Sequence, residues 1–108
     1  MTEEEMRAHL ARRPSGLAAA REFLQTYVFD ADRGQLERIV RHMAGVNPYT
    51  VDTGIEGIAA ILTEALPPGT LADLVARDAN RSLDDPSDDG ARQWLERLLA
   101  DVRTWRGA

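Results

Sequence analysis

The chain predicts an all-α fold, a compact bundle of about five to six short helices, on three observations. Apolar residues recur at i, i+3, i+4 and i+7 in nearly every segment. No stretch alternates apolar and polar residues between hairpin turns, and helix-capping residues precede most of the apolar stripes. With 108 residues the chain can build one hydrophobic core but not two ordinary domains, so residues 1–108 read as a single domain. Its 44% hydrophobic and 29% charged residues match globular composition and argue against disorder.

Thr2-Glu3-Glu4-Glu5 has the form of a capping box, and the spacing predicts a peripheral first helix to about Arg12 or Arg13. Pro14-Ser15-Gly16 breaks it. Leu17, Ala20, Phe23, Leu24, Tyr27 and Val28 form the stripe of a second helix, which Asp30-Ala31-Asp32 ends while capping the next. That third helix carries Leu36, Ile39, Val40 and Met43, with Gly45 as its expected stop. Val46 to Asp52, with Asn47-Pro48-Tyr49, has turn chemistry and no period, and reads as a loop. Thr53-Gly54-Ile55-Glu56 reads as a second capping box. Behind it Ile55, Ile58, Ile61, Leu62 and Leu66 share a face until Pro67-Pro68-Gly69. Thr70 is the expected cap of a helix with Leu71, Leu74, Val75 and Ala79. Asn80 to Asp89 is polar, and the last helix begins near Asp88 to Gly90, capped by Asp88 or Asp89. It is expected to bury Trp94, Leu95, Leu98, Leu99 and Val102, with Trp105 at the end of the stripe.

The formal charge of -5 disfavours the phosphate backbone of nucleic acid, whose affinity comes from Lys and Arg; a basic partner protein fits better. All the basic residues are Arg. Cysteine is absent, which excludes disulfides, thiol nucleophiles and thiolate metal sites. The longest dense apolar run, Ile58-Ala59-Ala60-Ile61-Leu62, is far short of a membrane span. No charged leader with an apolar run stands at the start, so a cytoplasmic location is expected.

Asp84-Asp85-Pro86-Ser87-Asp88-Asp89 is locally similar to the aspartate-rich motif of prenyl-diphosphate enzymes, but a domain of this size cannot enclose the deep cavity such chemistry needs. Asp85, Ser87, Asp89, Gly90 and Glu96 fall at positions 1, 3, 5, 6 and 12 of a calcium loop. Against that reading, Arg92 occupies the apolar position and there is no second loop. A similar start at Asp30 fails because Arg41 stands where the closing Glu belongs. His9 and His42 have no metal-protease spacing, and there is no nucleophile elbow or phosphate-binding glycine loop. Glu22, Asp30, Asp32, Glu37, Asp52, Glu56 and Glu64 are scattered carboxylates whose spacing selects no acid–base pair. No catalytic residue, metal or cofactor is assigned.

Three stretches in order resemble the immunity proteins of bacterial contact-dependent growth inhibition systems. They are Phe23 to Asp32; Ile55 to Leu66 followed by Leu71-Ala72-Asp73-Leu74; and Gly90-Ala91-Arg92-Gln93-Trp94-Leu95. Together they cover Leu17 to Trp105. Where that family places His-Gln-Asp after its aromatic pair, this chain has Val28-Phe29-Asp30-Ala31-Asp32. The resemblance implies a helical cytoplasmic protein that binds and blocks a cognate toxin C-terminal domain, often a basic nuclease. Ranked by exposure and charge, the expected contacts are Asp84, Asp85, Asp88 and Asp89, with Asp30, Asp32 and Asp52 near helix ends. A helical adaptor and a calcium-responsive domain are the alternatives.

Overall fold

Ser15 opens the first helix of the computed structural model, which describes residues 15–107. Its hydroxyl accepts from the Ala18 amide at 3.1 Å, satisfying one of the orphan donors at the start of α1 (Gly16–Phe23). The helix expected over residues 1–13, its Thr2 capping box and His9 lie outside the described residues. α1 runs on into a π-helical turn, Leu24–Val28, closed by the Phe29 amide donating to the Leu24 carbonyl at 2.8 Å. α2 (Arg33–Val46) starts at the expected place. Asp32 accepts from the Gln35 amide while the Gln35 side chain accepts from the Asp32 amide, a reciprocal capping box.

α3 (Pro48–Thr63) corrects the loop expected over Val46 to Asp52. Val46 is the last residue of α2, Asn47 alone is the joint, and Pro48 begins the new helix. Proline is suited to that position because its missing N–H would have had no intrahelical acceptor, and its fixed φ is already helical. Val51 then anchors the first turn, only 1% exposed. Thr53 to Glu56 therefore lies inside a helix and caps nothing.

α4 (Thr70–Asp73) is short and passes into a second π-helical turn, Leu74–Asp78. The expected Thr70 cap is not formed. Gly69 is the N-cap residue, and the amides of Gly69 and Ala72 donate to the Asp88 carboxylate at 2.7 and 3.0 Å. α5 (Asp88–Arg106) is capped by Ser87, whose hydroxyl accepts from the Gly90 amide, and not by Asp88 or Asp89. Its acidic first turn and its last turn with Arg103 and Arg106 both complement the helix dipole.

All regular structure among the described residues is helical. α1 lies tightly against α3. A methyl group on Gly57 would sit 2.8 Å from the Ala20 amide nitrogen and 2.9 Å from the Gly16 carbonyl oxygen, and one on Gly54 would overlap the Phe23 ring. α5 crosses the other side of α3 and contacts α2 and α4. Between them one continuous cluster buries Leu24, Val40, Ile58, Ile61, Leu74 and Leu95. Each such side chain removed from water contributes about 1.5–3 kcal/mol before the entropy of ordering is counted.

Of the two tryptophans, Trp105 is the core residue, 5% exposed, whereas Trp94 is only partly buried at the core's edge. This corrects the burial expected for Trp94. Leu95, Leu98, Leu99 and Val102 follow one stripe, and Trp94 and Trp105 lie along the same edge of it, about 20° from each other around the helix. What separates them is cover: the Arg33 guanidinium lies over the Trp105 ring.

Candidate functional site

The two π-helical turns end alike. After each comes a residue with left-handed backbone, Asp30 (φ 60°) and Asn80 (φ 52°), the residue types that tolerate that conformation best. The two meet. Asn80 Nδ2 donates to Asp30 Oδ1 at 3.0 Å, and the Arg81 guanidinium donates to the Ala31 carbonyl. Nearby, the buried Asp78 accepts from Gln25 Nε2 at 2.5 Å and Arg21 Nε at 3.4 Å, tying the end of the α4 segment to α1.

These joined ends form one wall of a groove whose other wall is α5. It has a volume of 430 Å³ and is lined by Val28, Leu36, Trp94, Leu98 and Trp105, with Arg33, Arg81, Arg97 and Asp101 at its polar positions. Arg33 spans from α2 to α5, its Nε and Nη2 donating to the two oxygens of Asp101 at 3.1 and 3.0 Å. Its guanidinium also lies 5.5 Å from the centre of the Trp105 ring. The hydrogen bonds and charge of Asp101 hold Arg33 above its ordinary pKa. Arg97 is exposed and, among the described residues, makes no hydrogen bond or ion pair.

The groove continues around the 81–86 segment. One adjoining hollow shares Arg81 with it, another shares Arg97, and those two hollows share Ser82 and Leu83. A separate cleft beside Tyr27 and Tyr49 has a volume of only 140 Å³. Among the described residues, Tyr49, Val46 and Phe29 are the exposed large apolar side chains.

The seven aspartates expected at a binding surface are dispersed, and most are engaged within the fold. Asp30 holds Asn80, Asp32 caps α2, and Asp52 pairs with Arg106 Nε at 2.8 Å. Asp88 caps α4; the two amides, and to a lesser degree Arg92, hold its carboxyl below the usual aspartate range. Asp85 Oδ1 accepts from both the hydroxyl and the amide of Ser87, which lowers its pKa too. Asp84 and Asp89 are exposed without such a bond, and Asp84 and Asp85 line the hollow beside Arg97.

The candidate calcium loop is internally committed. Ser87 is occupied by Asp85 and Gly90, and Arg92 Nη1 donates to the Leu62 carbonyl at 2.6 Å, closing the end of α3. Among the described residues no three His, Asp or Glu side chains are grouped to hold a metal ion. His42 is exposed on α2. Also among these residues, no helix is long and apolar enough to cross a membrane.

Sequence reasoning selected charge of one sign and missed the groove. Its residues come from three stretches of the chain, 28–36, Arg81 and 94–105, and Arg33, Arg81 and Arg97 carry no motif. The one available signal was Trp94, Arg97, Asp101 and Trp105 recurring at helical spacing along one side of α5. No family model matches the chain, and no curated protein or solved structure matches it either.

Proposed function

We propose that this domain is a protein-binding module that acts as an immunity protein, capturing a toxin domain and blocking it without chemistry of its own. The observation that carries the binding reading is the groove. It brings two tryptophans and three arginines together, and Trp and Arg are the residue types that most often dominate binding energy at protein interfaces. Trp94 is partly exposed at its edge and Arg97 is unengaged among the described residues, so both can form contacts without dismantling the fold. The ordered resemblance of Phe23–Asp32, the middle helices and Gly90–Leu95 to immunity proteins supplies the class of partner.

Net charge supports the same reading at longer range. A surface of -5 accelerates encounter with a basic protein, as charge steering raises association rates more than it raises affinity.

Co-expression of the full chain with a toxin domain encoded directly beside its gene tests the proposal. A stable complex and protection of the cell are expected, both lost in Trp94→Ala in a chain that still folds, its melting temperature lowered less than in Trp105→Ala. If neither complex nor protection is seen with the parent chain, the toxin reading is wrong, and a helical adaptor with another partner takes its place.

A further inference from the structure

The charge inside the groove is opposite in sign to the charge of the molecule. Three guanidiniums, those of Arg33, Arg81 and Arg97, face one carboxylate, Asp101, and that carboxylate is already neutralised by the two-pronged contact from Arg33. Beneath them the floor is apolar, formed by Leu36, Leu98 and the edge of Trp94. Arg33 is compensated by Asp101, whereas Arg81 is held by the neutral Ala31 carbonyl, so its charge is fixed in place without a counter-charge. Among the described residues, Arg97 is the guanidinium of the three left with its donors open. On its far side the adjoining hollow carries Asp84 and Asp85, which ends the cationic stretch there.

We propose that the groove seats an acidic segment of a partner protein, with an apolar side chain on the Trp94–Leu98 floor and a carboxylate on Arg97. Complementary charge is what selects this occupant. A basic segment would set its cations against the uncompensated guanidiniums of Arg81 and Arg97, and like charges brought together at an interface are strongly disfavoured. A neutral apolar segment would leave the donors of Arg97 facing it unpaired. Long-range attraction and final seating are therefore read by different charges: the overall negative surface draws in a basic protein, and the groove accepts an acidic, apolar-bearing stretch of it. This inference rests on the reading of the domain as a protein binder and specifies what that binder recognises.

The test titrates the full chain into two short fluorescein-labelled peptides, one of Glu, Leu and Gly, the other with Lys in place of every Glu. Anisotropy reports binding, and tryptophan emission reports whether Trp94 is covered. The acidic peptide is expected to bind saturably, to shift the emission, and to weaken about tenfold in Arg97→Glu and with added salt. The lysine peptide is expected not to compete. The inference is overturned if the lysine peptide binds as well, if Arg97→Glu leaves the acidic peptide's affinity unchanged, or if no binding occurs up to about 1 mM. Failure here is distinguishable from failure of the functional reading. A chain that still captures and neutralises its toxin partner with Arg97→Glu at parental affinity keeps the function and loses this inference. A chain with no toxin partner that nonetheless binds the acidic peptide through Arg97 keeps the inference alone.

Discussion

Asp88 shows how a single acidic side chain can look like surface charge in a sequence and act as a joint in the fold. It belongs to the first turn of α5, yet its two oxygens accept from amides at the start of α4. Those bonds favour the ionised form, so its folded pKa lies below the ordinary aspartate value of about 3.9. A depressed folded pKa stabilises the protein above the unfolded value, and that contribution is lost as pH falls through the folded one. Asp88→Asn should therefore melt lower than the parent at neutral pH and lose less on acidification below about pH 4. Parallel acid-melting curves for the two chains would show that the cap contributes nothing. The tryptophans are a second case. Trp105→Ala should cost about 3–5 kcal/mol as a large-to-small change in a packed core, and Trp94→Ala distinctly less, because Trp94 keeps part of its surface in water. Chemical denaturation of both variants gives the ranking, and a larger loss at Trp94 would contradict the burial described above.

Among the elements, the α1–α3 contact depends on what is missing from α3. Glycine inside an exposed helix disfavours it by about 1 kcal/mol relative to alanine, so propensity alone predicts that Gly57→Ala stabilises. The contact predicts the reverse. A methyl group there would press on backbone atoms of Gly16 and Ala20, which cannot swing aside as a flexible side chain would. Separating two helices at their closest approach should cost about 1–3 kcal/mol as an overpacking change, and a raised melting temperature in Gly57→Ala would refute the account. The same scale explains the π-helical turns. Each lets its helix finish on a left-handed Asx residue, and the Asp30–Asn80 bond then aligns the two ends that form the groove wall.

For the molecule as a whole, most expected acidic contacts already serve the fold. Reversing all of Asp84, Asp85, Asp88 and Asp89 would remove the cap of α4 and the bonds holding Ser87 along with the surface charge. Steering is therefore better probed at Asp84 and Asp89, exposed and free of such bonds. Changing these two to Lys should slow association with a basic toxin partner and flatten its salt dependence, while dissociation changes little and the melting temperature falls slightly because Asp89 leaves the acidic first turn of α5. Stopped-flow association at two ionic strengths reads this directly. An unchanged rate would mean that the long-range field does not guide encounter, leaving the groove to be judged on its own contacts.

Local chemistry by itself determined the helical class and most of the helix positions. The stripe of α1, the Asp32 cap of α2 and the stripe of α5 are each set by residues a few positions apart, whereas α3 ends at Thr63, short of the Leu66 and Pro67-Pro68-Gly69 where its end is expected. The start of α3 was misread because Pro48 can both end one helix and begin another, and only the burial of Val51 against distant helices decides between them. Tertiary structure likewise decided which acids are free. Whether Asp52 is an exposed charge or the partner of Arg106 depends on a contact across half of the chain, and no spacing rule reaches that far. The groove lies beyond the sequence for the same reason. Its positive interior is a sum over Arg33, Arg81 and Arg97, which become neighbours only when the ends of α1 and the α4 segment meet beside α5.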